Sequence, residues 1–210
     1  LYRAFIQQGG RFVQTAVTSL SPDSQTVTLF TDNDPYRFDR AVLSAGAWST
    51  RLLGPLGIKI PLEAERGYHI TWQCEQPPLS RPIGSAERNV VMTPLTNGLR
   101  TVGVSEWGGL KVPFKQKRTA TLRHHSQALL PELKSTDWPQ QEWMGFRPTL
   151  PDSLPVIDRH PVYPHLLLAF GHQHLGLTQA AISAELIRSL VEGDQPSLDL
   201  SPYALSRFAR

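Results

Sequence analysis

Two histidines, His172 and His174, stand one residue apart in the stretch AFGHQHLGLTQAA, Ala169 to Ala181, bracketed by Gly171 and Gly176. Three chemistries compete for them. Side chains repeat every two residues along a strand, so a His-x-His pair can place both imidazoles on one face as metal ligands. A metal site still needs a third ligand, and His69, His124, His125, His160 and His165 stand at no motif spacing to the pair; no metal is expected. The glycines are five apart, as in a phosphate loop, but Leu177 occupies the place of the lysine, which removes that reading. The third reading is a strand end, a glycine-bounded loop and a helix start in succession. Loop amides and the helix dipole would then favour an anion, or a group that becomes anionic, by about 0.3–2 kcal/mol. A tight strand-to-helix connection carrying surface histidines accounts for the same residues equally well.

The composition narrows the classes of protein that could carry such a loop. With 210 residues, 40% hydrophobic and 19% charged, the chain can bury a real core and suits an ordinary globular fold. Its net charge of +3 comes without a Lys/Arg block interleaved with aromatics, so nucleic acid is not an expected partner. Cys74 is the single cysteine, which excludes an internal disulfide. Apolar runs such as LLLAF, Leu166 to Phe170, are too short to span a bilayer. The first residue is Leu, not Met, and the chain is expected to be a piece of something longer.

The elements that must position the loop can be read from pattern. A helix over Leu1–Gln8 is expected to stop at Gly9-Gly10, followed by strands in RFVQTAVTSL and TVTLFT. Ala41–Ala45 reads as a fully buried small-apolar strand, and a helix should follow over Trp48–Leu53. LEAERGYHITWQ alternates like a strand with one wet face. The strands NVVMTPL and LRTVGVSEW flank Asn97-Gly98, a hairpin signal; they carry Met92 and Glu106. Pro113–Leu130 reads as a helix and DWPQQEWMGFRP as extended. Two buried strands, LPVID and LLLAF, precede a helix over Thr178–Glu192 with Ala180, Ala184, Ile187 and Val191 on one face and Gly193 as its stop. The fold class is therefore α/β (α+β): residues 1–62 and 143–210 form one domain, and 63–142 is an inserted antiparallel sheet.

Four stretches taken in order, AVLSAGAWSTRLLGPLG, PLEAERGYHITW, WMGFRPTLPDSLPVI and FGHQHLGLT, carry a resemblance. Over about Leu1 to Phe208 the chain resembles the D-amino-acid oxidase superfamily of FAD-dependent oxidoreductases, in particular its bacterial D-amino-acid dehydrogenase and glycine-oxidase-like branch. The superfamily opens on a G-x-G-x-x-G turn that cradles the FAD pyrophosphate, and this chain contains no G-x-G. The resemblance thus implies the C-terminal half or more of such an enzyme. It assigns residues 1–62 and 143–210 to the FAD-binding domain and 63–142 to substrate binding.

The resemblance also implies a site. Val17, Ala45, Gly46 and Ala47 would lie along FAD. Gly171, His172, Gln173, His174, Leu175, Gly176, Leu177 and Thr178 would face the flavin ring; Gln173 departs from the family pattern, where glycine is usual. Arg147, in GFRP, would hold the substrate carboxylate, for which a guanidinium fork is suited and lysine is not, with Trp143, Met144 and Phe146 as an apolar wall. Met92 would line the substrate pocket. Tyr68, His69, His172 and His174 would be the groups able to help the substrate ammonium lose its proton, histidine having a pKa of about 6.5, although bulk water suffices. The implied partners are an amino-acid substrate and a respiratory electron acceptor, and the implied location is cytoplasmic, at most peripheral at the membrane. An oxygen-using glycine or sarcosine oxidase, an FAD-less binding module and a metal-dependent hydrolase using the histidine pair are the alternatives.

Overall fold

The computed structural model describes residues 1–208; the last two residues of the expected 143–210 segment lie outside the described residues. Gly9, with φ at +85°, ends the first helix, α1 (Tyr2–Gln7). The next strand, β1 (Val17–Pro22), starts six residues later than expected. Its antiparallel partner β2 (Val27–Thr31) ends opposite Val17, so residues 11–16 have no ladder to join. Asp23 makes the turn between them by accepting the N–H groups of Gln25 and Thr26, each at 2.8 Å. A third strand, β3 (Tyr36–Phe38), pairs with β2.

The small-apolar strand β4 is confined to Ala41–Leu43 and is not fully buried, Val42 being 45% exposed. Among the described residues it pairs with one strand, β11 (Leu166–Phe170), and so stands at an edge, which leaves Val42 exposed in spite of the strand's apolar composition. Ala45 begins a tight turn instead, with Gly46 at φ +54° and Ala47 buried, before α2 (Ser49–Leu53) buries Leu52 and Leu53.

From Pro61 the chain builds a five-stranded antiparallel sheet of β5 (Glu63–Gln73), β6 (Ile83–Ser85), β7 (Val90–Leu95), β8 (Gly98–Trp107) and β9 (Gln140–Thr149). The spatial order is β6-β7-β8-β5-β9. The expected hairpin is present, closing Leu95 onto Gly98. Helix α3 (Gln116–Leu129) covers one face, over a core of Tyr68, Ile70, Trp72, Val90, Met92, Leu99, Leu122 and Leu133. It starts three residues later than expected because the carbonyl of Pro113 is held by Arg66 in an irregular loop. The alternation expected of β5 is present, with Ala64, Arg66, Tyr68, Ile70 and Trp72 buried on the α3 side and Glu63, Glu65, His69 and Gln73 exposed or partly exposed on the other; lying between β8 and β9, the strand also buries Gly67 and Thr71 on that second side.

The chain then returns to β10 (Val156–Arg159) and β11 (Leu166–Phe170), antiparallel to each other, with β11 parallel to β4. Helix α4 (Gly176–Glu192) follows and ends at Gly193, φ +82°. Its buried face is Ser183, Leu186, Ile187 and Ser189, with Val191 packed against the same cluster; the expected stripe holds at Ile187 and Val191 and fails at Ala180 and Ala184, which are exposed. The larger Leu and Ile side chains remove more apolar area from water than alanine does, and they set which face packs against Ile157 and Leu167.

Two compact units result: Leu1–Ile60 with Leu154–Phe170 and the chain from Leu177 onward, and Pro61–Ser153 with Gly171–Gly176. The second unit continues past 142 because β9 is paired along nearly the whole of β5. No helix among the described residues is long and apolar enough to cross a membrane.

Candidate active site

Strands β5 and β9 bring the chemistry of the second unit together. Their register sets Glu65 opposite Arg147, Gly67 opposite Gly145 and His69 opposite Trp143. These residues share the face away from α3, because successive side chains of a strand alternate.

Arg147 is fixed on that face. Its Nη1 donates to Glu65 Oε1 and to Ser105 Oγ, both at 2.8 Å, and Thr149 Oγ1 donates to the other Glu65 oxygen at 3.0 Å. A Cβ added to Gly67 would stand 2.7 Å from both Cζ and Nη2 of Arg147. Near-equal distances to the centre and to one nitrogen mean that the guanidinium plane lies flat over the glycine, which is the residue that allows that approach. Hydrogen bonds to described residues use Nη1 alone, so the Nε–Nη2 edge keeps two parallel donors, the geometry that pairs with a carboxylate. Burial pushes the Glu65 carboxyl up, but hydrogen bonds from Ser105, Thr149 and Arg147 outweigh it and hold it below the usual range.

His69 stacks on the half-exposed Trp143, centroids 4.8 Å apart and planes 15° apart. Burial, and then the charge of Arg100, bring its pKa down to about 4. It is neutral at pH 7 and a weak base, unlike the imidazole expected from the sequence.

Tyr68 and Met92 do not join this group. Both lie on the α3 side, 1% and 0% exposed, since neighbours on a strand point to opposite faces. The expectation that Tyr68 and His69 stand together at one site is corrected for that reason. The Tyr68 hydroxyl donates to Glu106 Oε1 at 2.8 Å, and burial together with that carboxylate raises its pKa. Met144 and Phe146 share the α3 side as well, so Trp143 alone of the expected apolar wall stands beside Arg147.

The histidine pair lies in a turn, not on a strand, so the period-two argument for metal does not apply. Gly171 has φ +87° and Gln173 φ +50°. That left-handed conformation costs a side-chain-bearing residue roughly 1–2 kcal/mol and explains why glycine suits the position. The N–H of Gln173 donates to the Pro148 carbonyl at 3.2 Å, tying the loop to β9 one residue beyond Arg147, and Leu175 N–H closes the turn onto His172 O at 2.9 Å. His172 is half-buried, with its pKa lowered by burial, and His174 is exposed. Gly176 opens α4, and Leu177, 89% exposed, and Thr178 present the first-turn amides, which have no acceptor within a helix. Among the described residues no group of three or more His, Cys, Asp or Glu is placed to hold a metal.

In the first unit, Val17 and Ala45 share the wall of a hollow of about 510 Å³ with Leu29, Phe38, Val42 and Leu166. This mostly apolar hollow suits a flat aromatic ring, and the loop and helix start suit a group that becomes anionic. Of the four residues expected along FAD, Val17 and Ala45 line the hollow, whereas Gly46 and the buried Ala47 are not among its lining residues; the fit to FAD is that of an apolar wall to a flat ring and of a helix start to a group that becomes anionic. Glu65, Gly67 and Ser105 were not legible as site residues: only the pairing register, 82 residues apart for Glu65 and Arg147, reveals them.

Comparison with known proteins gives the family. The family model "FAD dependent oxidoreductase" (DAO) matches residues 1–190. The chain is 32% identical over 207 residues to a D-amino-acid oxidase of Bradyrhizobium diazoefficiens, covering 97% of this chain and 49% of that protein. It is 32% identical over 186 residues to the glycine oxidase of Pseudomonas aeruginosa, covering 88% and 50%, and 33% identical over 208 residues to a D-amino acid dehydrogenase of Vibrio vulnificus, covering 94% and 49%. The crystal structure of glycine oxidase from Geobacillus kaustophilus superposes with a TM-score of 0.84 at 24% identity, over 95% of this chain and 54% of that one, a likeness of fold. The chain spans about half the length of the curated relatives it matches. The family model over residues 1–190 and these relatives place the chain in the DAO family of FAD-dependent oxidoreductases.

Proposed function

We propose that this chain carries the substrate-binding part of an FAD-dependent dehydrogenase of D-amino or D-imino acids, an amino acid being oxidised by two electrons to its imine, which water then hydrolyses to the 2-oxo acid and ammonia. The electrons pass to a respiratory acceptor at the cytoplasmic membrane, which the protein touches at most peripherally. The observation that carries this reading is Arg147, held flat over Gly67 with one edge left to pair with a carboxylate.

Bound FAD would supply the redox chemistry, accepting a hydride from the substrate Cα. Val17, Ala45, Gly46 and Ala47 would hold it in the first unit. In the loop from Gly171 to Gly176, Gln173 and Leu175 give their N–H groups to the Pro148 and His172 carbonyls and set the course of the backbone past His174, and the first-turn amides of α4 at Gly176, Leu177 and Thr178 would favour the charged, reduced form of the cofactor. Arg147 binds and orients the substrate carboxylate, with Trp143 as the apolar surface beside it. The substrate ammonium must lose a proton first. The half-buried His172, its pKa lowered by burial, and the exposed His174 are the loop groups that would assist, and bulk water suffices. His69 is too weak a base, and Tyr68 and Met92 support the site from the core.

The test is an assay of the full-length protein, loaded with FAD, with D-alanine, D-proline and sarcosine, following dye reduction and peroxide in parallel. The expected outcome is dye reduction with D-alanine or D-proline and little peroxide. The likeness to the Pseudomonas glycine oxidase favours one other reading, an oxygen-using oxidase. Fast peroxide formation with glycine or sarcosine would establish that one instead.

A further inference from the structure

The proposed role of Arg147 leaves open what makes a flexible arginine into a fixed fork. Arginine has a large rotamer entropy to lose on being fixed, and a two-point contact with a carboxylate is effective only if the plane is already set. Three groups set it here. Glu65 Oε1 and Ser105 Oγ take the protons of Nη1, and Gly67 is the floor under the plane. Glu65 is itself held, since Thr149 Oγ1 donates to its second oxygen. The cluster draws on three adjacent strands, β9, β5 and β8, so its geometry is that of the sheet and not of a loop.

Resting on the reading of Arg147 given above, we propose that Glu65 is a positioning residue, which with the Gly67 floor turns Arg147 into a one-edged clamp for a single substrate carboxylate. Two effects of removing the Glu65 charge oppose each other. Arg147 would attract an anion more strongly, but it would also lose the bond that fixes its plane. The pair is partly exposed, with side chains 31% and 19% accessible, so water and salt weaken the first effect. Misalignment of a two-point contact is not screened, and it dominates.

Two substitutions perturb the clamp by different routes. Glu65→Gln keeps the shape and removes the charge. Gly67→Ala keeps every charge and pushes on the guanidinium, the movable end of a side chain, while the strand ladder is retained. In the FAD-loaded protein, each should raise KM for D-alanine and the inhibition constant of propanoate by a common factor of about ten or more, with kcat within about twofold. In ¹⁵N-labelled protein the Arg147 Nε–H resonance, identified by its loss in Arg147→Lys, should be sharp in the wild type and broadened in both variants. A residue with a merely structural role would lower Tm without moving the propanoate constant or that resonance. If Arg147→Lys impairs binding while Glu65→Gln and Gly67→Ala leave KM unchanged or lower it, the positioning role is overturned and the reading of Arg147 stands. If Arg147→Lys also leaves KM unchanged, both fall. Should Glu65→Gln fail to fold, Gly67→Ala decides the question by itself.

Discussion

Arg147 has two partners to satisfy, one within the protein and one proposed in the substrate, and its substitution tests them together. Arg147→Ala removes the fork and leaves Glu65 with the hydrogen bonds of Ser105 and Thr149 alone. The expected loss in kcat/KM is about 2–4 kcal/mol, carried mainly by KM. Steady-state kinetics with D-alanine check it, and kinetics equal to the wild type would take Arg147 out of the site. Its position could be read from GFRP through the family resemblance. Its environment could not, because strand alternation, invisible in a lone tyrosine-histidine pair, sends Tyr68 to the core and leaves His69 on the face with Arg147. The same alternation reduces the expected wall of Trp143, Met144 and Phe146 to Trp143 alone. Burial, too, is a property of the fold, and it is what takes His69 from an ordinary imidazole to a pKa of about 4.

Elements with a local signature were legible: the hairpin from Asn97-Gly98, and α4 from its apolar period and Gly193. Elements whose limits depend on a distant partner were not. The start of β1 is set by the end of β2, and the start of α3 by the β8–α3 loop. That loop hangs on one fully buried side chain. Arg66 donates to the carbonyls of Gly108, Gly109 and Pro113, and its charge is offset by Glu106, which also accepts from Tyr68, Lys115 and Arg118. The Tyr68 hydrogen bond comes first among the causes; burial opposes it, the two cations reinforce it, and the carboxyl is brought from 4.5 to about 2. A folded pKa below the unfolded one stabilises at pH above about 4.5, and that contribution is lost as pH falls toward 2. Glu106→Gln should therefore destabilise the protein at pH 6 by about 2 kcal/mol or more, because it leaves a buried guanidinium without its counter-charge. It should also flatten the decline in stability between pH 5 and pH 2. Urea midpoints across that range test both, and a variant with the wild-type acid slope would remove Glu106 as its source.

At the scale of the whole molecule, the chain matches about half the length of its curated relatives, and the question is how much of the cofactor interaction it holds. The places proposed above for FAD are an apolar hollow in one unit and, in the other, a loop leading into the start of α4. Neither answers the pyrophosphate, the most highly charged part of the cofactor. A pyrophosphate is ordinarily met by a glycine turn opening a helix, where free amides and the dipole act together. The 210 residues contain no G-x-G, and the glycine-bounded loop before α4 has Leu177 where a phosphate loop has lysine. Apolar contact with the adenine and flavin rings must then act without the electrostatic contribution, and it must still overcome the cost of fixing a long, flexible ligand. We expect the 210-residue chain alone to bind FAD with a Kd above about 1 μM, equivalent to less than about 8 kcal/mol. Titration of the purified chain into FAD, followed by flavin fluorescence, measures this directly. Submicromolar binding would mean that these residues hold the pyrophosphate by some other set of donors, and amide shifts on adding pyrophosphate alone would then locate them.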